Sequence, residues 1–177
     1  MLRSGPDAFF DVDPSSATPS GCPKWGGPAP AAPFTQLEFI FDTGSDDFRS
    51  GSELDVDIFD ASGNNIEHGV LHSVGETKFD NDTEHVVVYT LKNSSIPFTS
   101  IRNVQLTFIP EKIFCGLGDC SHDEWHAQAI DIYGIRSSSN WEQTCLFVGH
   151  EADSSVAEFN FNNDNRIKSL AQGSGCP

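Results

Sequence analysis

From residue 34 onward, apolar and polar side chains alternate with a period of two. Leu37, Phe39 and Phe41 alternate with Gln36, Glu38 and Ile40, and the run Asp42-Thr43-Gly44-Ser45-Asp46-Asp47 then ends the strand. Leu54, Val56 and Ile58 alternate with Asp55 and Asp57, which places the two aspartates on a solvent or partner face; Asp60-Ala61-Ser62-Gly63-Asn64-Asn65 reads as a turn. Val86, Val88 and Thr90 against Val87, Tyr89 and Leu91 predict a third strand buried on both faces. Val104, Leu106 and Phe108 form a fourth, ended by Pro110. A fifth begins near Trp125 and runs through Ile130, Ile132 and Ile135. Cys145 to Val148 and Val156 to Phe161 suggest two more, and Val70 to Val74 a shorter one.

No stretch carries a sustained 3.6-residue apolar stripe, and Ile167 to Leu170 is too short to count as a helix. Short strands between turn signals, with no helix long enough for a parallel crossover, predict an all-β antiparallel two-sheet sandwich of about eight strands. The 14 phenylalanines supply large side chains to fill the space between the sheets. Residues 1–33 hold seven prolines with several glycines and serines, a composition that predicts a leader or linker. Residues 34–136 are expected to form the core, and 137–177 a C-terminal extension packed on it.

Charge narrows the function. Ten Lys and Arg against 26 Asp and Glu give a net charge of −16, which repels nucleic acid and anionic lipid headgroups. There is no transmembrane run, and no apolar stretch of signal-peptide length follows the charged start, so the reading is a cytosolic chain or a mature or excised piece. Acidity, five cysteines and two N-glycosylation triplets, at Asn81 and Asn93, favour a secreted or extracellular protein.

Of the cysteines, Cys115 and Cys120 flank a short glycine-containing loop that a bridge would shape. A Cys145–Cys176 bridge would pin the tail and is worth roughly 3.5 to 4 kcal/mol in the chain-entropy model. Cys22 is then left free or paired elsewhere. Fully reduced cysteines are the alternative, and zinc fits poorly because no second close pair accompanies the first.

Asp42, Asp46 and Asp47 fall at the end of the first strand in a glycine-broken loop, and Asp119, Asp123 and Glu124 precede Trp125. Carboxylates together with carbonyls bared by a tight turn are what Ca²⁺ requires. If the two strands are neighbours, these loops converge and could share an ion; a solvated acidic rim is the bland alternative. His122 and His126 have i, i+4 spacing that would need a helix to align them. Neither G-x-S-x-G nor H-E-x-x-H occurs. Trp25 and Trp141 are candidates to stack on a sugar or lipid, or else to pack over the sandwich edge.

The run Phe39 to Ser52, with its Thr43-Gly44-Ser45-Asp46-Asp47-Phe48-Arg49-Ser50-Gly51 loop, resembles the opening of PLAT/LH2-like β-sandwich domains. Tyr89-Thr90-Leu91, Ile101 to Leu106 and Asp123-Glu124-Trp125 leading into Ile130-Asp131-Ile132 continue the likeness, over about residues 36–136. The resemblance implies an eight-stranded accessory module that contacts carbohydrate, lipid or protein, with an ion at Asp42, Asp46 and Asp47. The Cys115 to Cys120 insertion and the forty-residue tail depart from that pattern. The resulting expectation is a secreted, non-catalytic binding module. A small secreted hydrolase using loop carboxylates and a structural accessory domain of a larger protein are the alternatives.

Overall fold

A computed structural model describes residues 33–93, 96–111, 123–136, 143–150, 159–162, 164 and 166–176. Outside the described residues lie Cys22, Trp25, Cys115, Asp119, Cys120, His122 and Trp141, with nearly all of the predicted leader. Two antiparallel sheets face each other. The strands are β1 (Gln36–Thr43), β2 (Glu53–Phe59), β3 (Asn65–His72), β4 (Glu84–Thr90), β5 (Asn103–Ile109), β6 (Trp125–Ile135), β7 (Gln143–His150), β8 (Phe159–Phe161) and β9 (Ile167–Ala171). The first sheet has the order β4-β1-β6-β7, with β8 also paired to β6; the second has the order β3-β2-β5-β9. This is the predicted all-β sandwich, with nine strands among the described residues. Among the described residues there is no α-helix.

The alternation in the sequence becomes the inner face. Leu37, Phe39, Phe41, Leu54, Val56, Ile58, Leu106 and Phe108 are fully buried. Each such side chain contributes roughly 1.5–3 kcal/mol by leaving water. Phe34 enters just before β1 and lies over Gly134 of β6, where an added Cβ would come 2.4 Å from the ring. Only a residue without a side chain lets that ring approach the strand.

Three elements differ from the sequence reading. The strand expected at Val70 to Val74 is β3, which starts at Asn65. Asp60 closes its hairpin tightly: its Oδ1 accepts from the amides of Ser62 and Asn64, and Gly63 takes φ +81°. Val74 lies beyond the strand and is 65% exposed. The inward positions of β3 include Glu67, Gly69 and His72, which a search for apolar alternation overlooks.

The second difference is β4, which is not buried on both faces. It is the edge of its sheet, and Val86 and Val88 are 52% and 47% exposed. The third is the segment at Ile167 to Leu170, which forms β9 and pairs with β5 from Asn103↔Ala171 to Thr107↔Ile167. Chain beyond residue 136 therefore places β7 and β8 in one sheet and β9 in the other.

The expected Cys145–Cys176 disulfide is formed, with the Cα atoms 6.0 Å apart. It anchors the end of the chain alongside β7, where the Val148 amide donates to Ser174 O at 3.0 Å and the Gly173 amide donates to Leu146 O at 2.7 Å. Replacing both cysteines with serine frees a loop of about thirty residues in the unfolded chain, so stability is expected to fall by roughly 3.5 to 4 kcal/mol. Urea unfolding of the double variant against wild type measures this, and an unchanged midpoint would show that the tail is held by its hydrogen bonds alone.

Candidate functional site

β1 and β6 are neighbours, paired from Gln36↔Ile135 to Thr43↔Ala127 with a one-residue shift between Asp42 and Thr43, so the loop leaving β1 meets the segment entering β6. Residues 44–52 form that loop, and backbone bonds hold it on two sides. The Gly44 amide donates to His126 O at 2.7 Å, and the His126 amide donates to Asp46 O at 3.3 Å. On the other side Phe48 and Phe79 exchange amide–carbonyl bonds of 3.1 and 2.9 Å, and the Gly75 amide donates to Ser50 O at 2.7 Å. Asn81 Nδ2 also donates to Ser45 O at 3.0 Å.

Under the loop is an aromatic cluster. Phe48 is fully buried, with ring centroids 5.1 Å from Trp125, 5.0 Å from Phe79, 5.4 Å from Phe108 and 4.6 Å from the His72 imidazole. Trp125 also stacks on Phe161 of β8 at 4.9 Å. Phe48 is the only strongly apolar side chain between Thr43 and Leu54, and its burial fixes where its acidic neighbours stand.

The carboxylates above this cluster differ in environment. Asp123 is 2% exposed; its Oδ2 accepts from Ser52 Oγ at 2.7 Å, and its Oδ1 lies 2.9 Å from Arg49 Nε. Burial pushes its carboxyl up, and the Ser52 hydroxyl and the Arg49 charge offset this only in part. Ser52 is itself buried and accepts the Glu111 amide at 2.8 Å, which ties β2 to the end of β5.

Asp47 stands 3.8 Å from Arg49 and 3.6 Å from Lys78, whose Nζ is 2.7 Å from Asp80. Asp46 is pushed up by burial and then by the Asp47 charge, with a smaller push from Glu124 and an opposing pull from Arg49. The loops thus bring together Asp46, Asp47, Asp123 and Glu124. Asp42 goes elsewhere: it lies on the outer face of β1, between buried Phe41 and Thr43, opposite Glu84 and Ala129.

Sequence reasoning brought the acidic loops together only on the condition that their strands are neighbours, and it did not anticipate Arg49 and Lys78 as their counter-charges, although both are visible as lone cations among aspartates. Of the two predicted glycan acceptors, Asn81 and Asn93 are both exposed. Asp55 and Asp57 are half-buried on the outer face of β2, where Asp57 pairs with His68 at 2.9 Å and Asp55 is pushed up by burial and by Glu53. Among the described residues, no group of three or more His, Cys, Asp or Glu side chains is arranged to hold a metal ion.

At the opposite end of β2 is an open concavity of about 390 Å³, lined by Asp60, Ser62, Ile66, Asn93 and Ile96 among others. Asp60 is its one carboxylate, and that group is occupied by the turn: hydrogen bonds from Asn64 and Ser62 hold it below the usual carboxylate range. A paired-carboxylate hydrolase needs two such groups facing one another. No helix among the described residues is long and apolar enough to cross a membrane.

No protein-family model matches the chain, and no curated protein matches it in sequence. Among solved structures it is similar to the alpha toxin from Clostridium absonum, with TM-score 0.52 and 12% identity over 83% of this chain and 33% of the toxin. The alpha-toxin of an avian strain of Clostridium perfringens matches with TM-score 0.43 and 12% identity over 76% of this chain and 33% of that one. A Delta413-417:GS form of LOX matches with TM-score 0.47 and 10% identity over 78% of this chain and 16% of that one. At 12% identity the likeness to the Clostridium absonum toxin is one of fold, and this chain spans about a third or less of each matched chain.

Because the Asp123 carboxyl is raised in the folded state, the fold binds its proton more tightly than the unfolded chain does. Its contribution is fully present below the ordinary aspartate range and is lost as pH rises through the raised value. Relative to Asp123→Asn, wild type is therefore expected to lose stability between about pH 3.5 and the raised value. Urea unfolding at a series of pH values measures the difference, and a wild type that gains on the variant over that range would show that the Arg49 pair outweighs burial.

Proposed function

We propose that the chain is a secreted, non-catalytic accessory module that uses the acidic rim of the 44–52 and 123–124 loops to bind its ligand, with Ca²⁺ as an aid. The observation that carries this reading is the anchoring of the rim. Backbone bonds to β6 and to the 73–79 segment, together with burial of Phe48, present several carboxylates in one fixed arrangement. Preorganisation of this kind suits binding, since little ordering cost remains when the ligand arrives.

Arg49 and Lys78 already stand against Asp47 and Asp123, so Asp46 and Glu124 are the carboxylates best suited to an added cation. A hard cation also takes backbone carbonyl and hydroxyl oxygens, and a sugar can supply vicinal hydroxyls. That chemistry puts carbohydrate first among the ligand classes, with lipid surfaces and proteins next. The Cys145–Cys176 bridge supports an oxidising, extracellular setting. The similarity to one part of longer chains supports an accessory role.

Ca²⁺ at a hundredfold excess over Kd is expected to stabilise the fold by about 2.7 kcal/mol, a rise of several degrees in Tm. Asp46→Asn combined with Glu124→Gln should abolish that rise without weakening the apo protein, since it removes like-charge repulsion, and Asp42→Asn should leave it intact. Equal melting curves in millimolar Ca²⁺ and in EDTA would overturn the calcium reading. Glycan and lipid arrays with and without Ca²⁺ test the ligand class, and binding only to vesicles would replace carbohydrate with lipid.

A further inference from the structure

β4 has one partner among the described residues. It pairs with β1 from Gln36↔Thr90 to Asp42↔Glu84. The flanking bonds fix which residues face that partner: the Thr43 amide donates to Thr83 O at 2.9 Å, and the Leu91 amide donates to Thr35 O at 3.0 Å. Odd-numbered residues of β4 therefore direct their amides and carbonyls to β1. Even-numbered residues, Glu84, Val86, Val88 and Thr90, direct theirs outward, because backbone groups alternate sides along an antiparallel strand.

The same four residues carry exposed side chains on the outer face of the sheet. An edge with free backbone groups and exposed valines, and with neither Pro nor Lys within it, is a template for another strand.

Two of the other strand edges carry cover, and β9, the edge of the second sheet beside β5, has Lys168 within it. β7 at the far side of the same sheet is covered by the disulfide-held tail through Val148–Ser174 and Gly173–Leu146 bonds. On β3, the His68 carbonyl accepts from Tyr89 Oη at 3.2 Å and from Lys92 Nζ at 2.8 Å. β4 has no such cover among the described residues.

The sequence of β4 identifies an occupant. About a two-fold axis at Val87, an antiparallel pairing of two β4 strands sets Val86 opposite Val88, Glu84 opposite Thr90 and His85 opposite Tyr89. Apolar residues meet apolar residues at the centre, and no carboxylate meets a carboxylate. We propose that β4 is a self-complementary edge through which a second copy of this chain adds in antiparallel register, joining two four-strand paths into one continuous sheet.

The contact is small and each chain carries −16, so the association is weak and is measured at 0.15 M salt or above, where charges more than about 8 Å apart are screened. Sedimentation equilibrium from about 5 to 500 μM is expected to show the mass rise from 19.3 kDa towards twice that value. Val86→Pro removes an outward amide that β1 does not use, and Val88→Lys places a charge on the apolar centre. Both should remain at the mass of one chain while keeping the wild-type circular dichroism spectrum.

Register is read by cysteine pairing in a Cys22→Ser background. A mixture of Val86→Cys and Val88→Cys chains should oxidise to a covalent dimer, because opposed residues have Cα atoms about 5.5 Å apart. Either variant alone should not, since like positions lie more than about 7 Å apart across the axis. Equal cross-linking of the single variants would overturn the register. A wild type that stays at one chain mass throughout would overturn the self-pairing and leave the edge to an extended segment of another protein.

Discussion

The candidate site depends on the burial of one side chain that belongs to no strand. Phe48 lies between β1 and β2, yet it is packed among Trp125, Phe79, Phe108 and His72 at the centre of an aromatic cluster. A loop of glycine, serine and aspartate would otherwise have no reason to adopt one shape. With the ring inside, Asp46 and Asp47 precede it, Arg49 follows it, and all three are held over the entry to β6. Truncation of a buried Phe ordinarily costs about 3–5 kcal/mol; here it would also release the acidic rim from its support.

A second layer of constraint is polar. Ser52 connects Asp123 to the Glu111 amide, and His72 has both ring nitrogens near carbonyls, at 3.3 Å from Ser52 O and 3.0 Å from Thr77 O. At the other end of β3, buried Glu67 accepts from Tyr89 Oη at 2.7 Å and from the amides of Lys92 and Asn93 at 3.1 and 3.2 Å. Burial and the Glu67 carboxylate push the Tyr89 phenol up, so it remains a donor across the physiological range. The Glu67 links cross between the two sheets where β3 and β4 meet, and they work because each of the buried polar groups in them has a partner. They also hold β4 in place as an edge, with its odd-numbered residues committed to β1 and its even-numbered residues open.

Period-two alternation was enough to determine the all-β class and the inward faces of β1, β2 and β5, because side-chain direction in a strand follows from position alone; the meeting of two acidic loops waited on the pairing of β1 with β6. The likeness to PLAT/LH2-type domains carried the same information about architecture. Cys145 and Cys176 were legible as a pair from the need to hold a polar tail. Tertiary structure decided the rest. Val86 and Val88 read as core until the sheet order made β4 an edge, since exposure depends on which strands lie alongside. Glu67 and His72 carry no signal in the apolar alternation, and their burial rests on partners that Tyr89, Ser52 and Thr77 supply. Asp42 read as a member of the acidic loop until the alternation of β1 turned it to the outer face, while Arg49 and Lys78 became the counter-charges of Asp123 and Asp47 only once three separate segments had folded over the same aromatic cluster. Those outcomes rest on contacts between residues far apart in sequence, which local pattern does not encode.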